Sequence, residues 1–266
     1  MSPTPKFIGT LKGTKNVIIG GTSGMGFAVA QGLIEEGAHV AIGSSSEEKV
    51  KKAIERLNDA STQYNADPSR VQGYPVSVAG PGTEASLNEF YKKIGPFDNL
   101  IFTAGVLNTK SLEETTYESI VATGDVRYAG AILAVKAAVV GGYLKEGGSV
   151  VFTSGAAYHV PHPGWAVVSG FCGAMVSLTR ALAVDLSSKN IRVNCISLGP
   201  VRTELWGPID DATAKYLADK TVNGRVAPVE EPVMTYLSVL KNKNINGEMI
   251  NDDGGSFTSR PQPSAS

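Results

Sequence analysis

A glycine-rich turn near the start of the chain has the composition of an anion-binding loop. It consists of Gly20-Gly21-Thr22-Ser23-Gly24-Met25-Gly26, between the apolar run Asn16-Val17-Ile18-Ile19 and a segment with apolar residues at helical spacing. Glycines let a backbone approach a pyrophosphate closely, and the free amides and positive dipole end of a following helix favour its negative charge. The turn therefore predicts a dinucleotide site. The predicted contacts are Gly20, Thr22, Ser23, Gly24 and Met25.

The residues after the second apolar run bear on which dinucleotide is bound. That run is His39-Val40-Ala41-Ile42, and Gly43-Ser44-Ser45-Ser46 follows it. A protein that binds NAD usually places a carboxylate here for the ribose 2′-hydroxyl. Because this stretch has hydroxyls and no carboxylate to repel a 2′-phosphate, we expect NADP(H), held in part by the three serines. The first two serines also fit a plainer role as helix caps, since Glu47 and Glu48 follow them at capping-box spacing.

Strand and helix patterns alternate along the rest of the chain. The further strand candidates, each preceded by a helical segment, are residues 71–78, 99–103, 149–154, 191–197 and 248–251. This alternation predicts an α/β fold of the Rossmann type, a doubly wound parallel sheet with helices on both faces. Neither a repeat nor a linker divides residues 1–266, so we expect one domain with loose ends at about 1–5 and 259–266.

Composition narrows the range of partners. The 266 residues are 42% hydrophobic, with 24 basic and 25 acidic side chains and a net charge of −1, so nothing favours nucleic acid or an anionic membrane. We find no signal peptide and no run of about 18 apolar residues, which predicts a cytoplasmic protein with a small-molecule substrate. Cys172 and Cys195 are too few for a disulfide framework and lack metal-ligand spacing with the histidines. We expect no metal.

Four segments resemble motifs of the short-chain dehydrogenase/reductase family. They are the turn 19–26, Thr103-Ala104-Gly105, the segment 191–203 and the last predicted strand, 247–255. The resemblance extends from about residue 13 to residue 256. It implies cofactor contacts at Ala104, Gly105, Pro200, Val201 and Thr203. It also implies one at Ser77, where the family often has an Asp against the adenine.

The same resemblance exposes a gap at the predicted catalytic site. In this family a Ser orients the substrate, a Tyr donates a proton, a Lys lowers the pKa of that Tyr, and an Asn supports a water relay. Alignment retains Ser154 but puts Val168 at the Tyr, Cys172 at the Lys and Arg127 at the Asn. Reduction of a ketone needs a tuned proton donor, which Val168 cannot be, and Cys172 cannot replace a fixed ammonium. Ordinary ketone reduction is therefore disfavoured unless Tyr158 or a nearby histidine donates the proton.

Two reactions tolerate this gap. An iminium ion already carries the positive charge that a hydride neutralises, so its reduction needs no proton donor at the acceptor atom. An intramolecular cyclisation needs a shaped apolar pocket that holds a reactive conformer. Either reaction is compatible with the loss of the Tyr–Lys pair.

A divergent fungal branch of the family has a similar pattern. Phe102-Thr103-Ala104-Gly105, an Arg at the Asn position and Pro163-Gly164-Trp165 resemble the reductase/Diels–Alderases of malbrancheamide and paraherquamide biosynthesis. That resemblance implies NADPH-dependent reduction of a cyclic iminium and control of an intramolecular [4+2] cycloaddition on an indole alkaloid. It implies functional roles for Arg127 and Trp165. His162 departs from the branch, which has an Asp three residues before the Trp, and we take it as a candidate proton-handling residue.

Plainer interpretations stand beside these roles. Arg127 could pair with Asp125 or Glu118, Ser154 could satisfy a backbone group, His162 could be an exposed loop residue, and Trp165 could be core. The competing functions are a carbonyl reductase with a relocated acid, for which Tyr158 is the best candidate, and a non-redox cyclase, isomerase or pseudoenzyme that keeps NADP as a scaffold.

The segment from Trp165 to Ser188 bears on self-association. It carries apolar residues on more than one side of its predicted helix, so it should be buried on several sides. Together with the resemblance, this predicts a homodimer or homotetramer.

Overall fold

Seven parallel strands form the centre of the fold. The computed structural model describes residues 6–59, 67–207 and 210–258, so the predicted loose ends at 1–5 and 259–266 lie outside the described residues. The strands are Lys15–Ile19 (β1), His39–Ser44 (β2), Val71–Pro75 (β3), Phe97–Phe102 (β4), Leu144–Gly155 (β5), Arg192–Leu198 (β6) and Met249–Asp252 (β7). Their order in the sheet is β3-β2-β1-β4-β5-β6-β7.

Helices cover both faces of this sheet. Those within the described ranges are Gly24–Glu35 (α1), Glu47–Leu57 (α2), Thr83–Ile94 (α3), Tyr117–Gly124 (α4), Gly130–Val140 (α5), Ala166–Asp185 (α6), Asp211–Asp219 (α7) and Glu230–Lys241 (α8). A short π-helical turn, Asp125–Ala129, joins α4 to α5. The predicted Rossmann-type arrangement is confirmed.

The strands are apolar on both sides because each side faces helices. Successive residues of β1 alternate between two cores, with Val17 and Ile19 in the core beside α3, α5 and α6, and Ile18 in the core beside α1, α2 and α8. Strand β4 alternates in the same way, placing Leu100 and Ile101 on opposite faces. Successive side chains of a strand point to opposite faces of the sheet, and both faces are buried here. The central strands are therefore continuous apolar runs in the sequence.

The first strand, β1, lies in the middle of the sheet, and the chain adds β2 and β3 on one side of it before it crosses to add β4 on the other side. In open α/β sheets, a crevice forms at such a point, beyond the carboxyl ends of the strands. The glycine-rich turn follows β1, and Thr103 follows β4. The Thr103 hydroxyl lies 3.2 Å from the Ile19 carbonyl oxygen and 3.1 Å from that of Gly20, to which it can donate, so it ties the two strand ends together.

The predicted strand boundaries differ most at β5, which begins at Leu144 rather than at residue 149, and next at the carboxyl end of β3. This strand ends at Pro75, and the Ser77 amide donates to Ser86 Oγ at 2.8 Å rather than continuing the ladder. The sequence pattern 71–78 was too long because its last apolar residues, Val76 and Val78, pack against the core from an irregular segment.

Helix α6 carries the altered catalytic positions. By length and composition it could cross a membrane, but it packs against β5 and β6, as a core helix does. Only 33% of its most apolar stretch is buried, and Val184 is 73% exposed. One face of the helix therefore packs against the sheet, and apolar side chains on another face are exposed.

Candidate active site

A cavity of about 840 Å³ opens at the carboxyl ends of the strands. Its wall runs from the glycine-rich turn and one face of α2 to the start of α6 and the end of α7. One continuous space therefore connects the predicted dinucleotide site with the predicted catalytic site.

The glycine-rich turn is shaped for close approach of backbone atoms. Gly20 has a φ of +91°, and a Cβ there would lie 2.6 Å from the Ala104 amide nitrogen. A Cβ at Gly26 would lie 2.3 Å from the Gly20 carbonyl oxygen, so this position also excludes side chains. The predicted contacts Gly20, Thr22, Ser23, Gly24 and Met25 all line the cavity.

A carboxylate of the same chain occupies the amino end of α1. The Gly24 amide donates to Glu204 Oε2 at 2.8 Å, across 180 positions of sequence. This amide is one of the free donors at the helix start that would meet a pyrophosphate. Sequence reasoning missed Glu204, because no local pattern connects it with the turn.

The serines at the carboxyl end of β2 divide into two groups. Ser44 and Ser45 line the cavity, whereas Ser46 does not and instead accepts a hydrogen bond from the Lys49 amide at 3.3 Å. The prediction that Ser44 and Ser45 are the helix caps is wrong, because α2 begins at Glu47 and Ser46 is its N-cap.

Three cationic side chains beside these serines were not anticipated. Lys49, Lys52 and Arg56 project from α2 into the cavity wall at spacings of three and four residues, which places them on one helix face. Lys52 pairs with Glu48 at 2.6 Å, and the Arg56 guanidinium lies 4.0 Å from the centre of the Phe27 ring. Their spacing was visible in the sequence and could have indicated a basic face next to Ser44.

The remaining predicted cofactor residues come from three loops. Ser77, Ala104, Gly105, Pro200, Val201 and Thr203 all line the cavity. The Ser77 hydroxyl donates to the Ala79 carbonyl at 3.2 Å. The loops after β3, β4 and β6 thus meet at one edge of the sheet, as parallel strands require.

The retained serine and the two substituted positions form one wall of the cavity. Ser154, Val168 and Cys172 line it and are at least 95% buried. The Ser154 hydroxyl donates to the Cys172 carbonyl at 3.2 Å, which is the backbone contact that the plainer interpretation expected. A hydroxyl that donates one hydrogen bond keeps its acceptor lone pairs, so this contact is compatible with an orienting role for Ser154.

Arg127 lies on the cavity wall. Its Nε donates to the Val106 carbonyl at 2.8 Å, and its guanidinium carbon would be 3.2 Å from a Cβ at Gly105, so the glycine makes room for it. Burial lowers the pKa of Arg127, although a guanidinium stays protonated. Within the described ranges, no salt bridge involves Arg127, and the suggested pairs with Asp125 and Glu118 do not form.

An aromatic group lines the same cavity as Arg127. The Trp165 ring lies 4.9 Å from that of His162 and 5.8 Å from that of Trp206, measured between ring centres. His162 Nδ1 is 3.2 Å from the Tyr216 hydroxyl oxygen. Burial, and secondarily the Lys220 ammonium, lower the pKa of His162. Sequence reasoning found His162 and Trp165 but missed Trp206, Tyr216 and Lys220, which follow 41 or more positions later.

Tyr158 lies elsewhere. It is absent from the cavity wall, and its hydroxyl donates to Asn251 Oδ1 at 3.2 Å while its ring packs edge-on against Phe257. The structure therefore does not support Tyr158 as a relocated acid. Both cysteines are buried and unpaired, and no three His, Cys, Asp or Glu side chains of the described segments form a metal-binding group.

Comparisons with known proteins agree with this geometry. A sequence profile of the SDR-like Rossmann domain matches residues 7–259. The chain is 34% identical to the short-chain dehydrogenase/reductase fsr5 of Gibberella fujikuroi, over 97% of this chain and 100% of that protein. It is 32% identical to the short-chain dehydrogenase/reductase malC of Malbranchea aurantiaca, over 96% of this chain and 98% of that protein.

Solved structures are similar over nearly the whole chain. The MalC reductase/Diels–Alderase from Malbranchea aurantiaca superimposes with a TM-score of 0.86 at 32% identity, covering 97% of this chain and 100% of that one. A short-chain dehydrogenase from Burkholderia cenocepacia in complex with NADP gives a TM-score of 0.82 at 26% identity, covering 94% of this chain and 100% of that one. The profile match and the fungal relatives together show that this chain belongs to the short-chain dehydrogenase/reductase family of oxidoreductases.

Proposed function

We propose that the protein is an NADPH-dependent reductase of fungal secondary metabolism that acts on an imine or iminium intermediate of a polycyclic indole alkaloid. The observation that carries the proposal is the continuous cavity, which joins the residues predicted to bind a dinucleotide to a chemical end with Val168 and Cys172 in place of a proton-donating pair. Such a site suits a substrate that accepts hydride without an acid at those two positions.

The residues present fit NADP(H). Glycine at positions 20 and 26 lets the turn pack closely against the neighbouring backbone, and residues 22–26 line the cavity. The amino end of α1 favours the negative charge of a pyrophosphate there. Next to Ser44 and Ser45, the cations of α2 would hold a 2′-phosphate through charge-assisted hydrogen bonds. Among the described residues of the cavity wall, Glu204 alone carries a carboxylate, and it lies at the turn rather than beside these serines.

The chemical end suits a flat, partly charged substrate. Bound NADPH supplies the hydride. Trp165 and Trp206 offer aromatic faces that favour a cationic or aromatic ring system. Arg127, with two guanidinium nitrogens beside Gly105 and no carboxylate paired to it in the described structure, would bind a carbonyl or enolate oxygen of the same substrate. Ser154 would orient the reacting group.

The activity of one relative supports a reductase and suggests a second activity. MalC from Malbranchea aurantiaca is described as a reductase/Diels–Alderase, and this chain shares its fold over nearly the full length. Directed [4+2] cycloaddition is accordingly a second candidate activity. A shaped, largely apolar wall at Val168, Trp165 and Trp206 could hold one reactive conformer without an acid or base.

The other functions considered have less support. A carbonyl reductase with a relocated acid loses its best candidate, because Tyr158 does not face the cavity. A pseudoenzyme or a cyclase with NADP as scaffold would bind NADPH and never oxidise it.

A substrate screen separates these possibilities. Purified protein is incubated with NADPH or NADH and with matched cyclic iminium salts, cyclic imines and ketones, and the products are identified by mass spectrometry. We expect NADPH oxidation with the iminium and imine substrates. Turnover of ketones alone, or no turnover in the presence of bound NADPH, would contradict the proposal.

We also infer a cytoplasmic homodimer or homotetramer. The exposed apolar residues of α4 and α6, Tyr117 at 77% and Val184 at 73%, would be covered by a second copy. Size-exclusion chromatography with light scattering should give two or four times 27.8 kDa. A purely monomeric protein, or an oligomer unaffected by Val184→Arg, would contradict an interface at α6.

A further inference from the structure

Three residues connect one wall of the cavity with solvent. His162, in the loop before α6, lines the cavity, and its Nδ1 lies 3.2 Å from the hydroxyl oxygen of Tyr216 on α7. Tyr216 is 45% exposed, so the contact joins His162 to a side chain that reaches solvent. Lys220 completes the group from the C-cap of the same helix.

Tyr216 and Lys220 are one helical turn apart and meet. The Lys220 ammonium lies 5.1 Å from the centre of the Tyr216 ring, and Lys220 itself lines the cavity. Residues four apart on a helix share a face, so α7 presents a phenol and an ammonium together to His162. The family's catalytic Tyr and Lys have the same spacing of four residues. Their positions in this chain are Val168 and Cys172 on α6.

Burial and one neighbouring cation favour the neutral form of His162. Burial, followed by the Lys220 cation, lowers the pKa of His162. The other titratable groups of this part of the cavity wall are Arg127, Cys172 and Glu204, and none of them forms a described hydrogen bond with the imidazole. A neutral imidazole can accept a proton at one nitrogen while it donates from the other.

We propose that His162 delivers a proton to a substrate nitrogen in the cavity, and that Tyr216 and Lys220 are its positioning residues. The inference rests on the proposed function, because it concerns how a neutral imine, rather than an iminium ion, is reduced. It replaces the missing donor at Val168 with a relay that enters the cavity from α7.

The step balances as follows. The Tyr216 hydroxyl proton passes to Nδ1 of His162, and the Nε2 proton passes to the imine nitrogen. A bound reduced nicotinamide would supply a hydride to the imine carbon, and the C=N π pair would become the nitrogen lone pair that holds the proton. Lys220 stabilises the transient phenolate, which regains a proton from solvent. The product is an amine, and one hydride and one proton have been consumed.

Kinetics with two matched substrates test the relay. 3,4-Dihydroisoquinoline, assayed above the pKa of its conjugate acid, needs a proton, whereas its N-methyl iminium salt does not. For His162→Gln we expect a loss of about 100-fold in kcat on the imine, in the range of general acid catalysis, and a much smaller loss on the salt. Tyr216→Phe and Lys220→Gln should show the same split with losses of about tenfold.

Control variants and outcomes make the test decisive. Lys215→Gln removes another lysine of α7, one with 75% side-chain exposure, and should leave both substrates unaffected. Equal losses on imine and salt would show that the three residues only maintain structure, and unchanged imine turnover would exclude the relay. If the wild-type protein reduces neither substrate, the proposed function fails as well.

A measurement without cofactor gives an independent readout. The chain has three histidines, so ¹H–¹⁵N spectra can resolve each imidazole. His162 should show its proton on Nε2 in the wild type, and Tyr216→Phe should remove that preference. Lys220→Gln should raise the pKa of His162 towards its ordinary value. A His162 ring that titrates identically in all three proteins would overturn the assignment.

Discussion

Glu204 should weaken cofactor binding, because its carboxylate holds an amide that a pyrophosphate needs. In the ligand-free structure the Gly24 amide donates to Glu204 Oε2 at 2.8 Å, at the amino end of α1. A carboxylate at a helix start gains about 0.3–1 kcal/mol from the dipole, and the exposure of Glu204 argues for the middle of that range. Glu204→Gln keeps a hydrogen-bond acceptor and removes the charge. The lost dipole energy and the lost repulsion of the pyrophosphate together amount to about 1 kcal/mol, or about fivefold tighter NADPH binding.

The assay is a fluorescence titration of NADPH at low and at high salt. The gain in affinity should shrink as salt screens the exposed carboxylate. Glu230→Gln, which removes an exposed carboxylate at the start of α8, is the matched control and should not change the affinity. Unchanged or weaker NADPH binding by Glu204→Gln at low salt would show that the Gly24 amide is not part of the pyrophosphate site.

Three further predictions follow from the site. Lys49→Ala combined with Arg56→Ala should weaken NADPH binding by about tenfold or more and leave NADH binding nearly unchanged, as calorimetry would show. Gly26→Ala should lower the free energy of unfolding by about 2 kcal/mol or more through a clash with backbone, whereas Gly170→Ala, in open space on α6, should raise it slightly in urea titrations. Since the pKa of His162 is lowered below 6.5 in the folded state, stability should fall as pH falls from 6.5 towards that lowered pKa, and His162→Gln should flatten this decline.

The fold was predictable because its signals are local. Apolar residues at period two or at helical spacing indicated the strands and helices, and glycines at a strand end indicated the turn. Because the carboxyl ends of parallel strands meet at one edge, the loops that bear Ala104, Pro200 and Thr203 could be assigned to one site before their contacts were known. The substitutions Val168 and Cys172 could likewise be read from alignment alone.

Other parts of the site were not predictable. Ser46 and Ser45 are adjacent, yet one caps α2 and the other faces the cavity, because the helix starts one residue later than the capping-box spacing suggested. Tyr158 and His162 belong to one loop, yet only the histidine reaches the cavity wall. Where the backbone turns, adjacent residues point their side chains in different directions, so an error of one residue in a predicted boundary changes which side chain enters the site.

The sequence by itself determined the alternating fold, the dinucleotide turn and the loss of the usual donor pair. Only the tertiary structure decided that Glu204 meets Gly24 and that Tyr216 meets His162, pairs separated by 180 and 54 positions. Periodicity and turn chemistry act over a few residues, so they specify elements. Contacts between distant loops depend on how the packed elements orient the chain at their ends, and that orientation arises only when the two cores assemble around the sheet.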